Sequence, residues 1–346
     1  ASRSFSITVQ NDAPSNHFNT SIYNGSGASQ SITTGFAPDF TWIKSRSNAT
    51  WHCVADTVRG NLSRIFPNDS YQQVTNNNGF LSFDSNGFNL DGQGGGGDVN
   101  TSGRTFVAWS LKAGGAAVAN TNGTINSQVS ANNSLGFSIV SYSGNSTSGA
   151  TVGHGLNSAP EMVIYKRTDV AANWIIKSSI LGVDNYLTFT SDQSYSDSGV
   201  FWNSTLPNSS VFTLGSSASV NVGNYIAYNF TSKPGFSKVG SYTGNGSSSG
   251  PMVQTGFQPA FVMIKASSAA GSWNIVDDKR DTTNPATKRL FANLANAEGT
   301  GINVLDFYAN GFQIKNNDAG FNSNGVTYIY LAFAADGSTA TPSLAN

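Results

Sequence analysis

Charge is scarce in this chain. Charged residues fill 11% of its 346 positions, against about 25% in an ordinary soluble domain. Solubility therefore falls to Asn, Ser, Thr and Gly, which recur throughout. The 18 Lys and Arg nearly balance the 19 Asp and Glu, for a net charge of -1. No basic stripe is present, so no nucleic-acid partner is expected. Cys53 is the single cysteine, which excludes an intrachain disulfide. No apolar run reaches the roughly 18 residues of a membrane helix, so no membrane insertion is expected. Residues 1–10 show no basic segment followed by an apolar one, and do not read as a signal peptide. Helix signals are sparse too. The exception is 285–297, where the pattern predicts one or two helical turns capped by Asn284.

What is abundant is punctuation. With 37 Gly and many polar turn residues, the chain reads as short strands joined by turns. Asn86-Gly87 and Asn310-Gly311 are turn signals placed just before a strand. At 346 residues the chain exceeds what one core usually supports, and two or three domains are expected.

Self-comparison shows one pattern three times. Pro38, Pro160 and Pro259 each precede a lysine (Lys44, Lys166, Lys265) by six residues, with a β-prone apolar run between. Proline suits a strand's first residue, where no ladder donor is needed. Upstream lie Tyr23-Asn24-Gly25, Tyr142-Ser143-Gly144 and Tyr242-Thr243-Gly244. Downstream, seven or eight residues past the lysine, lie Trp51, Trp174 and Trp273. Then come Phe88-x-Leu90, Phe212-x-Leu214 and Phe312-x-Ile314. Each copy closes on Ala then an aromatic: Ala108-Trp109, Ala227-Tyr228 and Ala332-Phe333. Six landmarks in one order predict a module of about 100 residues, a common sandwich size. The expected fold is all-β, three tandem β-sandwich (jelly-roll or concanavalin-like) domains. The expected segments are an N-terminal arm 1–16, repeats at 17–115, 116–234 and 235–337, and a tail 338–346. The segment 328–333 reads as buried on both faces. For 137–142 either face could be the buried one.

Taken together, these motifs resemble an uncharacterised β-rich repeat of structural proteins in marine tailed phages, including cyanophages. The resemblance rests on Gly35-Phe36-x-Pro38-Asp39, Asp56-x-Val58-Arg59-Gly60, Gly153-His154-Gly155-Leu156, Lys279-Arg280-Asp281 and Tyr328-Ile329-Tyr330-x-Ala332-Phe333, and covers roughly 17–337. The middle copy lacks the Arg-Gly and Asn-Gly-Phe marks. The resemblance implies a non-enzymatic virion protein of a tail fibre, capsid fibre or decoration appendage. Its partners would be other virion proteins and a host-surface glycan, and by analogy it would be a homo-oligomer, with a trimer preferred. The alternative is a carbohydrate-binding adhesin or receptor-binding module.

Reactive constellations are not evident. His17, His52 and His154 are far apart, and His52 and Cys53 would point to opposite faces of a strand, so no metal site is expected. The run 91–98 lacks the alternating acids of a calcium loop and the Lys-Ser/Thr of a phosphate loop, and is read as a flexible loop. Carboxylates that could serve glycoside hydrolysis, such as Asp39, do not recur in all three copies. No catalytic residue and no cofactor are assigned. Lys44, Lys166 and Lys265 are candidates for anion or glycan contact, or else solvated gatekeepers at strand edges. Trp51, Trp174 and Trp273 are candidates for sugar stacking, or else core. Asp56 with Arg59, and Asp277 with Arg280, have the spacing of a loop-holding ion pair.

Overall fold

A computed structural model describes residues 12–335 except 77, 93–97, 192, 193, 195 and 198. The first eleven residues of the expected arm, the tail 338–346 and the centre of the run 91–98 lie outside the described residues. The described chain is all-β, 43% strand and 3% helix, in several antiparallel sheets.

Each Pro-to-Lys run forms a strand: Phe40–Ser45, Met162–Arg167 and Pro259–Ala266. Each pairs with the last long strand of its own segment: Thr105–Leu111, Val222–Phe230 and Thr327–Ala334. That strand pairs on its other side with the segment's opening strand, Phe18–Asn24, Phe137–Asn145 or Ser237–Thr243. On the far side of the Pro-to-Lys strand lie Cys53–Asp56, Ile175–Ser178 and Asn274–Asp277. The same strand order therefore occurs three times, in sheets spanning 18–75 with 105–111, 118–230 and 237–334. We call the three spans units. The second unit's large sheet also carries Val118–Asn120 and Ser127–Asn132 at its edge.

A small sheet lies over each large one. Phe88, Phe212 and Phe312 sit on these small sheets, paired with Ile32, Val152 and Val253. All three phenylalanines are fully buried. Tyr23, Tyr142 and Tyr242 reach across each unit, donating their hydroxyls to the carbonyls of Val99, Val220 and Phe321 at 2.7, 2.7 and 2.8 Å. In the two Asn-Gly turns the glycine is required by crowding. A Cβ on Gly87 would run into the Ile32 carbonyl, and one on Gly311 into the Val253 carbonyl.

The large sheets bury both faces because each is a middle layer. In the second unit Phe137 and Ile139 point to one cluster while Val140 and Tyr142 point to another. In 328–333 the odd residues Ile329, Leu331 and Phe333 join the first cluster, and Tyr328, Tyr330 and Ala332 join an outer one. The outer clusters belong to single units. The inner cluster is common: it takes Trp42 and Trp109, Phe137 and Tyr228, and Phe261 and Phe333 into one core. Rings from different units meet there, as in Phe40 with Tyr228 at 5.0 Å and Phe18 with Phe333 at 5.0 Å. Each large aromatic or aliphatic side chain so buried contributes roughly 1.5–3 kcal/mol. A large share of each unit's apolar burial thus depends on its two neighbours.

The helical turns predicted for 285–297 do not form. That stretch is extended, with Ala286 bridging Leu305, Leu290–Phe291 pairing Asn274–Ile275, and Arg289 bridging Gly299. Sheet pairing supplied by distant segments overrides the local helical preference there.

Candidate functional site

The recurring lysines are not solvated. Lys44, Lys166 and Lys265 are fully buried, so the gatekeeper expectation is corrected and none offers a surface contact. Each ammonium turns back onto carbonyls of the loop that follows its strand. Lys44 donates to Ser45 and Asn48 at 2.7 and 3.2 Å. Lys166 donates to Arg167, Ala172 and, across the seam with the first unit, Ser70, at 2.9, 2.9 and 3.2 Å. Lys265 donates to Ala266 and Ala269 at 2.7 and 3.5 Å. A long side chain with three donors satisfies several buried carbonyls at once.

Burial pushes the Lys44 and Lys166 amines down to about 8, partly opposed by the Asp98 carboxylate near Lys44 and chiefly by that of Asp69 near Lys166. The folded value lies below that of the unfolded chain, so between pH 8 and 10 the unfolded chain holds protons that the folded one lacks. Stability should then rise with pH across this window. Above pH 10 the buried hydroxyls of Tyr142, Tyr228 and Tyr242, whose ionisation is pushed up by burial, reverse the trend. Melting curves from pH 7.5 to 10 should show the rise in the wild type and a flatter profile in Lys44→Met with Lys166→Met. An unchanged profile in the double variant rules this assignment out.

Two of the six landmarks are out of register. Strand pairing aligns His52, not Trp51, with Trp174 and Trp273, since Cys53, Ile175 and Asn274 pair with the residue just before each lysine. Trp174 and Trp273 are fully buried. The three aligned rings each hydrogen bond to a neighbouring unit's backbone. Trp174 Nε1 donates to Phe66 at 2.9 Å, Trp273 Nε1 to Thr188 at 2.8 Å, and His52 Nε2 meets the Leu294 carbonyl at 3.0 Å. The three bonds close a ring, second unit to first, third to second and first to third. Likewise Leu331, not Phe333, aligns with Trp109 and Tyr228, as their pairing with Val239, Thr20 and Ile139 shows.

The two Asp-Arg pairs form as the spacing predicts. Arg59 Nε meets Asp56 at 2.6 Å, and Arg280 Nε meets Asp277 at 2.6 Å. Each pair also locks a seam. Tyr228 of the second unit donates its hydroxyl to Asp56 at 2.7 Å, and Trp109 of the first donates Nε1 to Asp277 at 3.0 Å. The third seam has no such pair. Register puts Ser178 and Leu181 in place of the acid and arginine, and Leu331 in place of the donor. Aspartate-arginine therefore occurs opposite a ring that can donate, and uncharged residues opposite an aliphatic side chain that cannot.

Among the six candidate residues, only Trp51 is exposed, at 38%, beside Tyr71 at 49%, with ring centroids 6.2 Å apart. Tyr71 precedes a segment lining a polar groove of about 330 Å³ between the first and second units, with Gln73, Thr168 and Asn224 among its walls. Sequence reasoning missed this groove, one wall of which comes from 58–73 and the other from 126–225. Among the described residues no group of three His, Cys, Asp or Glu side chains is placed to hold a metal ion. No helix of the described residues is long and apolar enough to cross a membrane.

Fold and seams together define an all-β chain of antiparallel sheets closed in a ring around one core. The chain belongs to the family described as Domain of unknown function (DUF7483), whose model matches residues 13–336 and so takes in all three units. No curated protein and no solved structure matches it.

Proposed function

We propose that this chain is a non-enzymatic structural part of a virion surface appendage, a tail fibre, capsid fibre or decoration protein, and that its units are three diverged copies of one sandwich fold. The observation that carries this reading is where the recurring residues go. The lysines, the Trp and His rings and the Asp-Arg pairs are all taken up in closing loops and seams. A chain that commits its repeated polar groups to rigidity suits a stiffening or spacing role. Its surface of short polar side chains suits many weak contacts with other virion proteins.

The test is localisation. Antibodies raised against the recombinant chain should decorate purified particles in immunogold electron microscopy, at one recurrent position on tail or capsid. Recovery of the chain only in soluble cell extract would remove the reading. Sedimentation equilibrium reads the proposed homo-trimer. A carbohydrate-binding module is the second reading, favoured by the exposed Trp51 and Tyr71 rings, which have the amphipathic character that stacks on sugars.

A further inference from the structure

The seams between the first and third units and between the first and second units share a backbone frame but differ in one charged network. Glu298 donates its amide to the Arg46 carbonyl at 2.7 Å, and Gln73 donates its amide to the Thr168 carbonyl at 3.1 Å. Arg280 and Arg59 are bound alike: backbone N to the aspartate at 2.8 Å, Nε to the aspartate at 2.6 Å, and Nη2 to the carbonyl of Ile275 or Val54 at 2.9 or 3.1 Å. Gln73 thus stands where Glu298 stands, and Thr168 where Arg46 stands.

In the first of these seams the Glu298 carboxylate fills the space. It binds Arg46 through Nε and Nη2 at 2.9 Å each, and receives Arg280 Nη1 at 3.2 Å. In the second seam no carboxylate of the described residues arrives. The Gln73 side chain turns away, its Nε2 donating to Ser63 and Thr75 at 3.1 and 3.2 Å. Among the described residues Arg59 Nη1 is left buried with no hydrogen-bond partner, on a side chain only 4% exposed. Such a group is costly unless paired. Arg59 lines the groove of about 330 Å³, whose other walls offer Gln128, Ser141, Ser143 and Asn224. Amides and hydroxyls of this kind bind sugar hydroxyls.

We propose that this groove binds an acidic saccharide, with a uronate-type carboxylate taking the position that Glu298 holds in the sister seam and pairing with Arg59 Nη1. The Gln73 side chain gives way to it, and the amide and hydroxyl wall holds the sugar ring. The inference rests on the second reading above, the carbohydrate-binding module, and adds the ligand class. Particle labelling and saccharide binding are separate measurements, so one can fail while the other stands.

The test is calorimetric titration of the full chain with an oligogalacturonate, with a neutral galactose oligomer of equal length and with polyglutamate. Binding of the oligogalacturonate alone is expected. Replacing Arg59 risks the fold, because it also pairs with Asp56, so the decisive variant is Gln73→Glu. It supplies the missing carboxylate from within the chain, and should raise the melting temperature while weakening oligogalacturonate binding by about ten-fold or more. Asn224→Ala should weaken it without that rise. Equal binding by Gln73→Glu, equal binding of the neutral oligomer or of polyglutamate, or no binding by the wild type at millimolar oligosaccharide each overturns the proposal.

Discussion

Lowering the pH from 6.5 to 5 should destabilise the protein by about 2 kcal/mol through His52 alone. Trp42 Nε1 donates to His52 Nδ1 at 2.8 Å, which fixes Nδ1 as an acceptor and leaves Nε2–H to donate to Leu294. A second ring proton would face the Trp42 N–H donor directly. Burial, reinforced by the neighbouring Lys44 charge, pushes the His52 pKa down from 6.5 to about 3. Between those values the unfolded chain takes up a proton that the folded chain refuses. Stability is therefore complete above pH 6.5 and is lost progressively as pH falls toward 3. His154, also lowered by burial, adds a slope of the same sign, so the comparison must be with a single variant. His52→Gln keeps an acceptor for Trp42 and a donor for Leu294 without a titrating ring. Denaturant midpoints at pH 6.5 and 5 should converge in His52→Gln relative to wild type. Equal pH slopes in the two proteins would contradict the assignment.

The second large effect lies at the seams. Asp56→Ala leaves the buried Arg59 charge without its carboxylate and the Tyr228 hydroxyl without its acceptor, and should cost about 3–5 kcal/mol. Asp277→Ala removes the Trp109 acceptor but leaves Arg280 its Glu298 partner at 3.2 Å, and should cost less. At the third seam Ser178→Ala should cost under about 1 kcal/mol, the loss of one short cap to the Ile180 amide. Introducing the charge alone, as Ser178→Asp, should be as damaging as removing it elsewhere. Combining Ser178→Asp with Leu181→Arg and Leu331→Tyr rebuilds the lock and should recover most of that loss. The coupling, read from a mutant cycle in urea unfolding, is the informative quantity. Additive effects would mean that the three seams are not equivalent positions.

The ring arrangement explains why such seam mutations should act globally. The central cluster is built from all three units, so weakening one seam exposes core residues of two. Urea unfolding should therefore remain a single transition rather than three.

Much of the fold was legible in the chain. The proline-to-lysine spacing located three strands, the Tyr, Phe and aromatic landmarks located their partners, and Asp56-Arg59 and Asp277-Arg280 were visible as pairs. Residue type misled where it competed with register. Tryptophan drew Trp51 into a set where constant eight-residue spacing from the lysine places His52. The Ala-aromatic pair at 332–333 did the same to Leu331. The charge of Lys44, Lys166 and Lys265 implied solvent, because local pattern cannot show that a loop's own carbonyls will surround an ammonium.

By itself, then, the sequence determined the all-β class, the threefold repetition and the pairing of acid with base inside two of the three loops. These depend on alternation and on contacts a few residues apart. Tertiary structure decided the common core, the ring of Trp174, Trp273 and His52, and the unpaired Arg59 nitrogen above a groove. Each of these arises from groups about 70 to more than 300 residues apart, whose meeting depends on the angle at which whole sheets pack.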